Sequence, residues 1–562
     1  MPSSKEIIVQ PYVARPESVR HALSNHSWKH GIDNFFNHQV RFSYTSGYAF
    51  ANRFFKLIEA YSASSKKKEI TLIEFGAGTG LLSYHLCDLL HRYQHPLKDS
   101  ITFVVTDFSQ ALINELKHNP LYQRFQQQFQ FYPFDIYHDD LTTLPAGDLF
   151  MMCYLFDSCS HHHLYVHQNT LYEYHVQTRI SHDDYIIDAS HFPPQTLEKE
   201  SLKEHILEAC SGNIHHNYAK FSHILKESWR KVPLSKTSLA SHEDHLQHFI
   251  RSTPSLPDSF KFNFSPLATD FFQRCLSALP EEGMMLVYDF GTPSPQSFKH
   301  EKKYLLAPYG ICNFYALCFP YYHWLANQFK FTSCASSFKS GESQCNAFHS
   351  LKSKHSFHST FSQVYSTPGG ESTKRCTKKI NILLNKDLDH DLILDHIHRI
   401  LDTLTEFEKV DYTLLMNIAI ALKNKGHYDH SIQFTQTLID SYGPLARSAY
   451  ALQSESLNAL HRYEDSFLLL SPIINDSTFS SVLYQFCISA GHLHKYKSFY
   501  RSFIKLLRHT DYFIPWRFFL IVMPLLSSEK KEELLTWLHS IQKKKLIRDT
   551  FPKGFSEELK SL

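Results

Sequence analysis

The sequence predicts an α/β domain followed by an all-α repeat domain. In the first half, short apolar runs of strand length alternate with segments whose apolar residues recur at helical spacing, an order typical of a parallel sheet covered by helices. From Asn381 onwards the pattern is helical and repeats with a period near 34 residues. A Ser-, Lys- and His-rich stretch with Pro-Gly-Gly separates the halves. We therefore predict domains at 1–345 and 381–562, joined by a linker at 346–380.

Five strands are predicted in the α/β domain. They span residues 70–74, 101–106, 129–134, 148–153 and 284–288. A helix is predicted directly after the first strand, since leucines recur there every three or four residues from Leu82 onwards. A long insertion at about 165–265 separates the fourth strand from the fifth. It opens with a predicted β-hairpin that turns around Gln168-Asn169-Thr170.

Composition excludes several classes of protein. The formal net charge of +2 gives no support for nucleic-acid binding, and 43% hydrophobic residues are typical of a folded globular chain. The longest apolar run, 518–526, is too short to cross a bilayer and contains a proline. The 11 cysteines and 38 histidines show no metal-ligand spacing. We predict a cytoplasmic protein with reduced thiols and no metal, membrane or nucleic-acid partner.

The helical half contains a repeat marked by tyrosines. Tyr428, Tyr463 and Tyr496 stand 35 and 33 residues apart in similar short contexts. Nine residues before them come small side chains, Ala419, Ser454 and Cys487, and three residues after the first two come Ser431 and Ser466. This pattern resembles the tetratricopeptide repeat, in which paired helices pack at small residues and bind peptides or protein surfaces. The alternative is a generic helical domain; residues 511–562 would form a helical cap.

A glycine-rich loop follows the first strand, with the sequence Glu74-Phe75-Gly76-Ala77-Gly78-Thr79-Gly80. The dinucleotide fingerprint requires a third glycine where this chain has Leu81, and the phosphate-binding P-loop requires a Gly-Lys-Ser/Thr that is absent. The spacing acid-x-G-x-G-x-G resembles motif I of the class I methyltransferases, which bind S-adenosylmethionine (SAM). A glycine turn in an unrelated α/β domain is the alternative.

The resemblance to class I methyltransferases assigns roles to three acids. Glu74 would hold the methionine end of SAM, Asp107 would accept hydrogen bonds from its ribose, and Asp135 would border its adenine. All three follow predicted strands, at the edge where open α/β sheets bind ligands. The cofactor-binding residues predicted in this way are Glu74, Gly76, Ala77, Gly78, Gly80, Asp107, Phe108, Asp135 and Ile136. The implied fold is a Rossmann-like domain with a long insertion.

Over roughly 40–345 the chain is similar to the MidA-type methyltransferases, relatives of a mitochondrial complex I assembly factor that methylates a protein arginine. The segments that carry this similarity are Tyr44-Thr45-Ser46, Thr106-Asp107-Phe108-Ser109, Leu155-Phe156-Asp157-Ser158, Phe264-Ser265-Pro266 and Val287-Tyr288-Asp289-Phe290-Gly291. The chain departs from the family where acids are expected. It has Gly47-Tyr48, Cys153-Tyr154, Asn263 and Asn313-Phe314-Tyr315-Ala316-Leu317 instead.

Carboxylates facing the transferred methyl group suit an arginine acceptor, because they hold the guanidinium in a forked geometry. Their absence means that arginine methylation is not carried over. Asp157 is the retained acid that we predict to orient or deprotonate an acceptor, unless it only caps a turn. We predict a SAM-dependent methyltransferase whose repeats recruit a protein acceptor. The alternative is a catalytically degenerate methyltransferase fold that serves as a protein-interaction scaffold.

Overall fold

The computed structural model describes residues 6–28, 44–181, 204, 206–207, 210, 225–299, 306–309, 312–336, 338, 342–384, 390–475, 479–509 and 536. The chain divides into two compact units, the first reaching Glu371 and the second continuing from Ser372. The predicted helical cap at 511–562 lies outside the described residues, apart from residue 536.

A large mixed sheet dominates the first unit. Its strands are β1 (Glu6–Val13), β2 (Ile70–Phe75), β3 (Ile101–Asp107), β4 (Phe129–Pro133), β5 (Leu149–Cys153), β6 (His162–His167), β7 (Thr170–Ser181), β8 (Leu225–Pro233), β9 (Ser259–Phe264), β10 (Met284–Thr292), β13 (Leu317–Cys318), β14 (Thr332–Ala335) and β15 (Ser343–His349). Strands β11 (Leu306–Tyr309) and β12 (Cys312–Tyr315) form a separate pair.

Five parallel strands form the centre of this sheet, in the order β4-β3-β2-β5-β10. At β10 the sheet forks. Most of β10 pairs with antiparallel β15, whereas its last residues, Gly291 and Thr292, pair with β13. From β13 the sheet continues through β9, β6 and β7, and β7 also pairs with β1 and β8. The predicted insertion therefore builds the second arm of the sheet.

The predicted strands and hairpin are confirmed. The first four predicted strands agree within one residue at each end, whereas β10 continues four residues beyond its predicted end at 288. Strands β6 and β7 are joined by Gln168 and Asn169, whose φ angles of 48° and 62° are those of the tight hairpin turn that fits the twist of the strands. The parallel strands read as continuous apolar runs because helices cover both their faces.

The helices of the first unit are α1 (Val19–Trp28), α2 (Tyr48–Ser65), α3 (Leu81–Arg92), α4 (Gln110–His118), α5 (Pro120–Gln123), α6 (Glu243–Ser252), α7 (Pro266–Ala278), α8 (Phe319–Gln328) and α9 (His355–Val364). Aromatic rings fill the core that they enclose. Phe75, fully buried at the end of β2, contacts Phe134, Phe150 and Phe271 at ring-centroid distances of 5.6, 5.4 and 5.1 Å. This packing fixes the point from which the glycine loop departs.

The range 346–380, predicted as a linker, is largely helical. Helix α9 packs against α2, and Phe357 and Phe361 on α9 are buried. Helix α10 (Glu371–Leu384) begins at the division between the two units. The Ser/Lys/His-rich composition misled the prediction, because in these helices the polar residues occupy the solvent-facing positions of amphipathic segments.

In the described residues of the second unit, all regular secondary structure is helical, and turns join the helices. Its helices are α11 (His390–Leu401), α12 (Glu406–Lys409), α13 (Tyr412–Asn424), α14 (Tyr428–Tyr442), α15 (Arg447–Ala459), α16 (Tyr463–Leu470), α17 (Ser480–His492) and α18 (Tyr496–His509), after α10. Each marker tyrosine is the first residue of the second helix of a pair. Gly426, His461 and His494, in the turns before them, all have left-handed φ angles of 84°, 59° and 55°.

The small residues of the repeat lie where paired helices meet. Ala419, Ser431, Ser454 and Ser466 are fully buried, and the hydroxyl groups of Ser454 and Ser466 are 2.6 Å apart. In the third pair a large side chain, Phe499, takes the second small position. Across the described ranges of the chain, no helix is long and apolar enough to cross a bilayer.

Candidate functional site

The glycine loop leaves the end of β2 and enters α3. Gly76, Gly78 and Gly80 all have left-handed φ angles, 64°, 53° and 66°, which glycine adopts without the strain that other residues incur. The Ala77 N–H donates to the carbonyl of Thr106 on β3 at 2.9 Å, tying the loop to the neighbouring strand. The loop thus presents bare backbone above the strand ends.

Two of the glycines also lack space for a side chain. A Cβ atom at Gly76 would lie 2.7 Å from Cδ1 of Leu155, and one at Gly80 would collide with the hydroxyl oxygen of Tyr122. These contacts add a steric requirement to the backbone requirement. Glycine is therefore required at these positions by the packing of neighbouring side chains as well as by the close approach of a ligand.

Glu74 is buried at the end of β2, directly before the loop. Burial raises the pKa of its carboxyl group to about 7, although a hydrogen bond from the Ser83 hydroxyl on α3 lowers it, and the charge of Asp107 raises it further. A carboxylate buried without a cation is costly, so this group is suited to receive a positively charged ligand group.

Asp107 is the last residue of β3, next to the loop. Its Oδ2 accepts a hydrogen bond from the Gly78 N–H at 3.2 Å, and its Oδ1 accepts one from the Ser109 N–H at 3.0 Å. Burial raises its pKa to about 6 against these hydrogen bonds. The next residue, Phe108, is 47% exposed, which is unusual for a ring of its size.

Asp135 lies just beyond β4 and is more open, with a side chain 37% exposed. Its carboxylate accepts hydrogen bonds from the Tyr137 N–H and from Nδ1 of His138, both at 2.9 Å. Ile136 is buried, and its carbonyl accepts from Arg274 on α7. Because β2, β3 and β4 are adjacent and parallel, the predicted cofactor residues all lie at one edge of the sheet.

Asp157 and Asp289 lie close together where the adjacent strands β5 and β10 approach their carboxyl ends. Asp157 lies in the turn after β5, Asp289 lies in β10, and both are fully buried. Asp289 accepts hydrogen bonds from the backbone N–H groups of Phe156 and Asp157 at 3.0 and 3.2 Å. Burial and the charge of Asp289 raise the pKa of Asp157 well above its usual range. Asp157 is thus an enclosed acid whose neutral form is favoured by burial.

The side chains that replace the expected acids bond to the protein itself. The Tyr48 hydroxyl donates to Asp88 at 2.9 Å, and the Tyr154 hydroxyl lies 2.8 Å from that of Ser343. Asn263 is buried and donates to the carbonyl of Ala316 at 2.8 Å. None of these three side chains supplies a negative charge.

Sequence reasoning missed a buried basic cluster on the second arm of the sheet. Arg15 is fully buried, paired with Glu227 and 3.4 Å from the Tyr315 hydroxyl, while one of its terminal nitrogens has no partner. His163 donates from Nδ1 to Asn263, which leaves Nε2 as a bare acceptor that is also unpartnered. Strand β12, which carries Tyr315, packs against the turn that holds Asp157. Side-chain contacts with β8 and β12 bring these residues together, although they are far apart in the sequence.

Comparison with known proteins identifies the class. Residues 51–309, a little under half of the chain, match the family described as "Putative S-adenosyl-L-methionine-dependent methyltransferase". This range contains the glycine loop, Asp107, Asp135, Asp157 and Asp289. The predicted enzyme class, a SAM-dependent methyltransferase, and the predicted cofactor are confirmed by this match. Among curated proteins none matches the chain.

The matches among solved structures have low identity and TM-scores below 0.5. A superfamily member from Burkholderia thailandensis bound to S-adenosyl-homocysteine is 10% identical, with 61% of this chain and 89% of that chain covered and a TM-score of 0.40. An uncharacterized protein of the same superfamily from that organism has 10% identity, coverages of 61% and 88%, and a TM-score of 0.39. An O-methyltransferase family 2 protein from Planctomyces limnophilus, in complex with apigenin, has 8% identity, coverages of 50% and 50%, and a TM-score of 0.23.

Proposed function

We propose that the first unit transfers the methyl group of SAM to a protein acceptor and that the helical unit recruits this acceptor. The observation that carries the proposal is the loop of three left-handed glycines beside the buried acids Glu74 and Asp107, at the carboxyl edge of adjacent parallel strands. In this proposal the sheet is the Rossmann-like core of a class I methyltransferase. The order β4-β3-β2-β5-β10 supports that assignment.

Each cofactor residue has a distinct proposed role. The Glu74 carboxylate holds the cationic methionine end of SAM, which offsets the cost of its own burial. Asp107 turns from the Gly78 N–H to the ribose hydroxyls, and Phe108 and Ile136 cover the adenine, with Asp135 at its rim. Gly76, Ala77 and Gly80 keep the loop open to the cofactor. Methyl transfer then needs little beyond in-line placement of the acceptor nucleophile.

The acceptor in this proposal is not an arginine side chain. A guanidinium would need carboxylates, whereas Tyr48, Tyr154 and Asn263 carry none. Asp157 would act as a base only after losing its proton to Asp289. We therefore propose that Asp157 positions the turn after β5, and we keep direct proton transfer as its alternative role.

The helical unit would act in recruitment. The helix pairs share a period near 34 residues, buried small residues and left-handed turns, features that support a tetratricopeptide-like array with a surface for a protein or peptide. The free thiols among the described cysteines are consistent with work in the reducing cytoplasm.

Calorimetry with SAM on the full chain tests the cofactor site. We expect binding by the wild type, loss of binding in Gly78→Arg because the long side chain fills the loop, and weakening of about tenfold or more in Asp107→Ala. His118→Ala, an exposed change on α4, serves as the matched control and should bind as the wild type does. Absence of binding to the wild type would refute the proposal.

A scaffold with a degenerate methyltransferase fold is the second candidate. It is favoured by one observation, namely that Tyr48, Tyr154 and Asn263 form hydrogen bonds within the protein at positions where the resemblance to the MidA-type methyltransferases implies acids. Labelled SAM added to lysate from cells lacking the protein separates the two. Transfer of label to a protein by the wild type, but not by Gly78→Arg, supports the enzyme. Binding of SAM without transfer supports the scaffold.

A further inference from the structure

Three side chains with metal-binding atoms meet at the β14 edge of the sheet in the first unit. They are Cys334 on β14, His349 at the end of β15 and His358 on α9, and their ligand atoms all lie within 4.8 Å of one another. We propose that Cys334, His349 and His358 form a zinc site. The sequence alone predicts no metal, because these residues do not follow a ligand-spacing motif.

Strand register explains the first half of the cluster. Thr332 lies opposite His349 in the antiparallel pair of β14 and β15, so Cys334, two residues further along, is on the same face as His349. His323 bonds to Ser333 and Asn346 on the opposite face and takes no part.

Helix α9 supplies the third ligand. Phe357 is fully buried and its ring meets that of His349 at a centroid distance of 5.3 Å, which fixes the helix against the strand end. The next residue, His358, then has its Nε2 2.9 Å from the Nε2 of His349. Two imidazole nitrogens this close share one proton, or they share a cation.

The set of donors selects the metal. One thiolate and two imidazoles suit Zn²⁺, whereas Mg²⁺ and Ca²⁺ require oxygen ligands. Binding would displace the Cys334 thiol proton to solvent, forming a zinc–sulfur bond. Three protein ligands leave a fourth position for water.

Two features oppose zinc binding. The Leu351 N–H donates to Nδ1 of His349 at 3.3 Å, so the His349 proton would have to move from Nε2 to Nδ1 when zinc binds, at the cost of this long hydrogen bond. Lys354 is exposed, and its charge acts on all three ligands. The thiolate formed on binding offsets that charge.

The position of the cluster indicates a structural role. His349 pairs with Met284 at the amino end of β10. Asp289 and the glycine loop instead lie towards the carboxyl ends of the parallel strands. Zinc here would tie α9 to the sheet. Helix α9 in turn packs on α2, and beyond its end the Tyr365 ring lies 5.5 Å from the Arg53 guanidinium of α2. The zinc site is independent of the proposed transfer reaction.

Metal analysis of the purified full chain tests the site. We expect about one zinc per chain, and a cobalt-substituted protein with a thiolate-to-metal charge-transfer absorption. His358→Ala, which changes a partly exposed ligand, and Cys334→Ser should each lower zinc affinity about tenfold or more. Added zinc should raise the melting temperature of the wild type and not of these variants.

Two further variants sharpen the test. His118→Ala removes an exposed histidine elsewhere and should bind zinc as the wild type does, whereas Lys354→Gln removes an opposing charge and should bind zinc more tightly. Zinc uptake by the wild type no greater than by His358→Ala would overturn the proposal. A cobalt complex without the thiolate absorption would overturn it as well. Circular dichroism of each variant shows whether a loss of binding reflects unfolding.

Discussion

The backbone N–H of Asp157 donates to Oδ2 of Asp289 at 3.2 Å, and burial together with the charge of Asp289 raises the pKa of Asp157 well above its usual range. Asp289 also accepts hydrogen bonds from the N–H groups of Phe156 and Phe290, which favour its charged form, so we infer that a proton held by the pair resides on Asp157. Asp289 is therefore the charged member of the pair. It holds the turn after β5 against β10, next to the loop that carries the cofactor residues.

This assignment predicts unequal effects of two isosteric substitutions. Asp157→Asn retains a neutral donor towards Asp289 and should lower the free energy of unfolding by about 1 kcal/mol or less. Asp289→Asn removes the charged acceptor and points an amide N–H₂ at backbone donors, which should cost about 2–4 kcal/mol. Urea unfolding of both variants measures the difference. Equal losses of stability, or a larger loss in Asp157→Asn, would contradict the assignment of the negative charge to Asp289.

Glu74 predicts a pH dependence of stability in the protein without cofactor. An acid whose pKa is raised by folding binds protons more tightly in the folded state than in the unfolded state. Its contribution to the free energy of unfolding is therefore complete at pH values below the pKa of the unfolded state. That contribution is lost as the pH rises through the pKa of the folded state. For Glu74 this window runs from 4.5 to about 7. The free energy of unfolding should therefore fall by about 2–3 kcal/mol from this group between pH 5 and pH 8.

Glu74→Gln should remove this part of the pH dependence, because glutamine does not titrate. Glu69→Gln is the matched control, because Glu69 is exposed and directly precedes β2. This variant should retain the wild-type dependence of stability on pH. Unfolding in urea at several pH values gives both curves. A wild-type slope that survives in Glu74→Gln would show that Glu74 does not titrate in this range.

The contact between Gly80 and Tyr122 predicts a rescue. Gly80→Ala combines a strained left-handed alanine with a collision against the Tyr122 hydroxyl and should cost about 3 kcal/mol or more. Adding Tyr122→Phe removes that hydroxyl, which is buried and has no hydrogen-bond partner, and should recover part of the loss. A double-mutant cycle by thermal unfolding measures the coupling. Strictly additive losses would contradict the contact.

Gly426→Ala is the comparison that isolates backbone strain. Gly426 also has a left-handed φ angle, but nothing lies within 4 Å of the position that its Cβ would occupy. Its cost should be limited to about 1–2 kcal/mol of strain. The excess cost at Gly80 then measures the steric contribution.

The helical unit predicts a steep size limit at its buried serines. Ser466→Leu would force a large side chain into the 2.6 Å contact with Ser454 and should destabilise the second unit by about 2–3 kcal/mol. Leu468→Ser, at a position 58% exposed on the same helix, should change stability by less than about 0.5 kcal/mol. Tolerance of leucine at 466 would mean that these helices do not pack at small residues.

Local patterns in the sequence determined most of the fold of the first unit. Residues close together in the chain determine the parallel strands, the hairpin at Gln168 and Asn169, and the glycine loop. These elements can therefore be predicted from the sequence alone. The acids Glu74, Asp107 and Asp135 could be predicted to meet because parallel strands end at the same edge of a sheet. The repeat period of the helical unit could be predicted for the same reason.

Only the tertiary structure decided what those residues touch. The linker prediction failed because composition does not reveal that α9 packs on α2. The pairing of Asp157 with Asp289, the enclosure of Arg15 by β8 and β12, and the meeting of Cys334 with His358 all join residues far apart in sequence. Their proximity and the resulting shifts in pKa depend on burial and sheet register, which are properties of the assembled sheet and are not encoded at any one position.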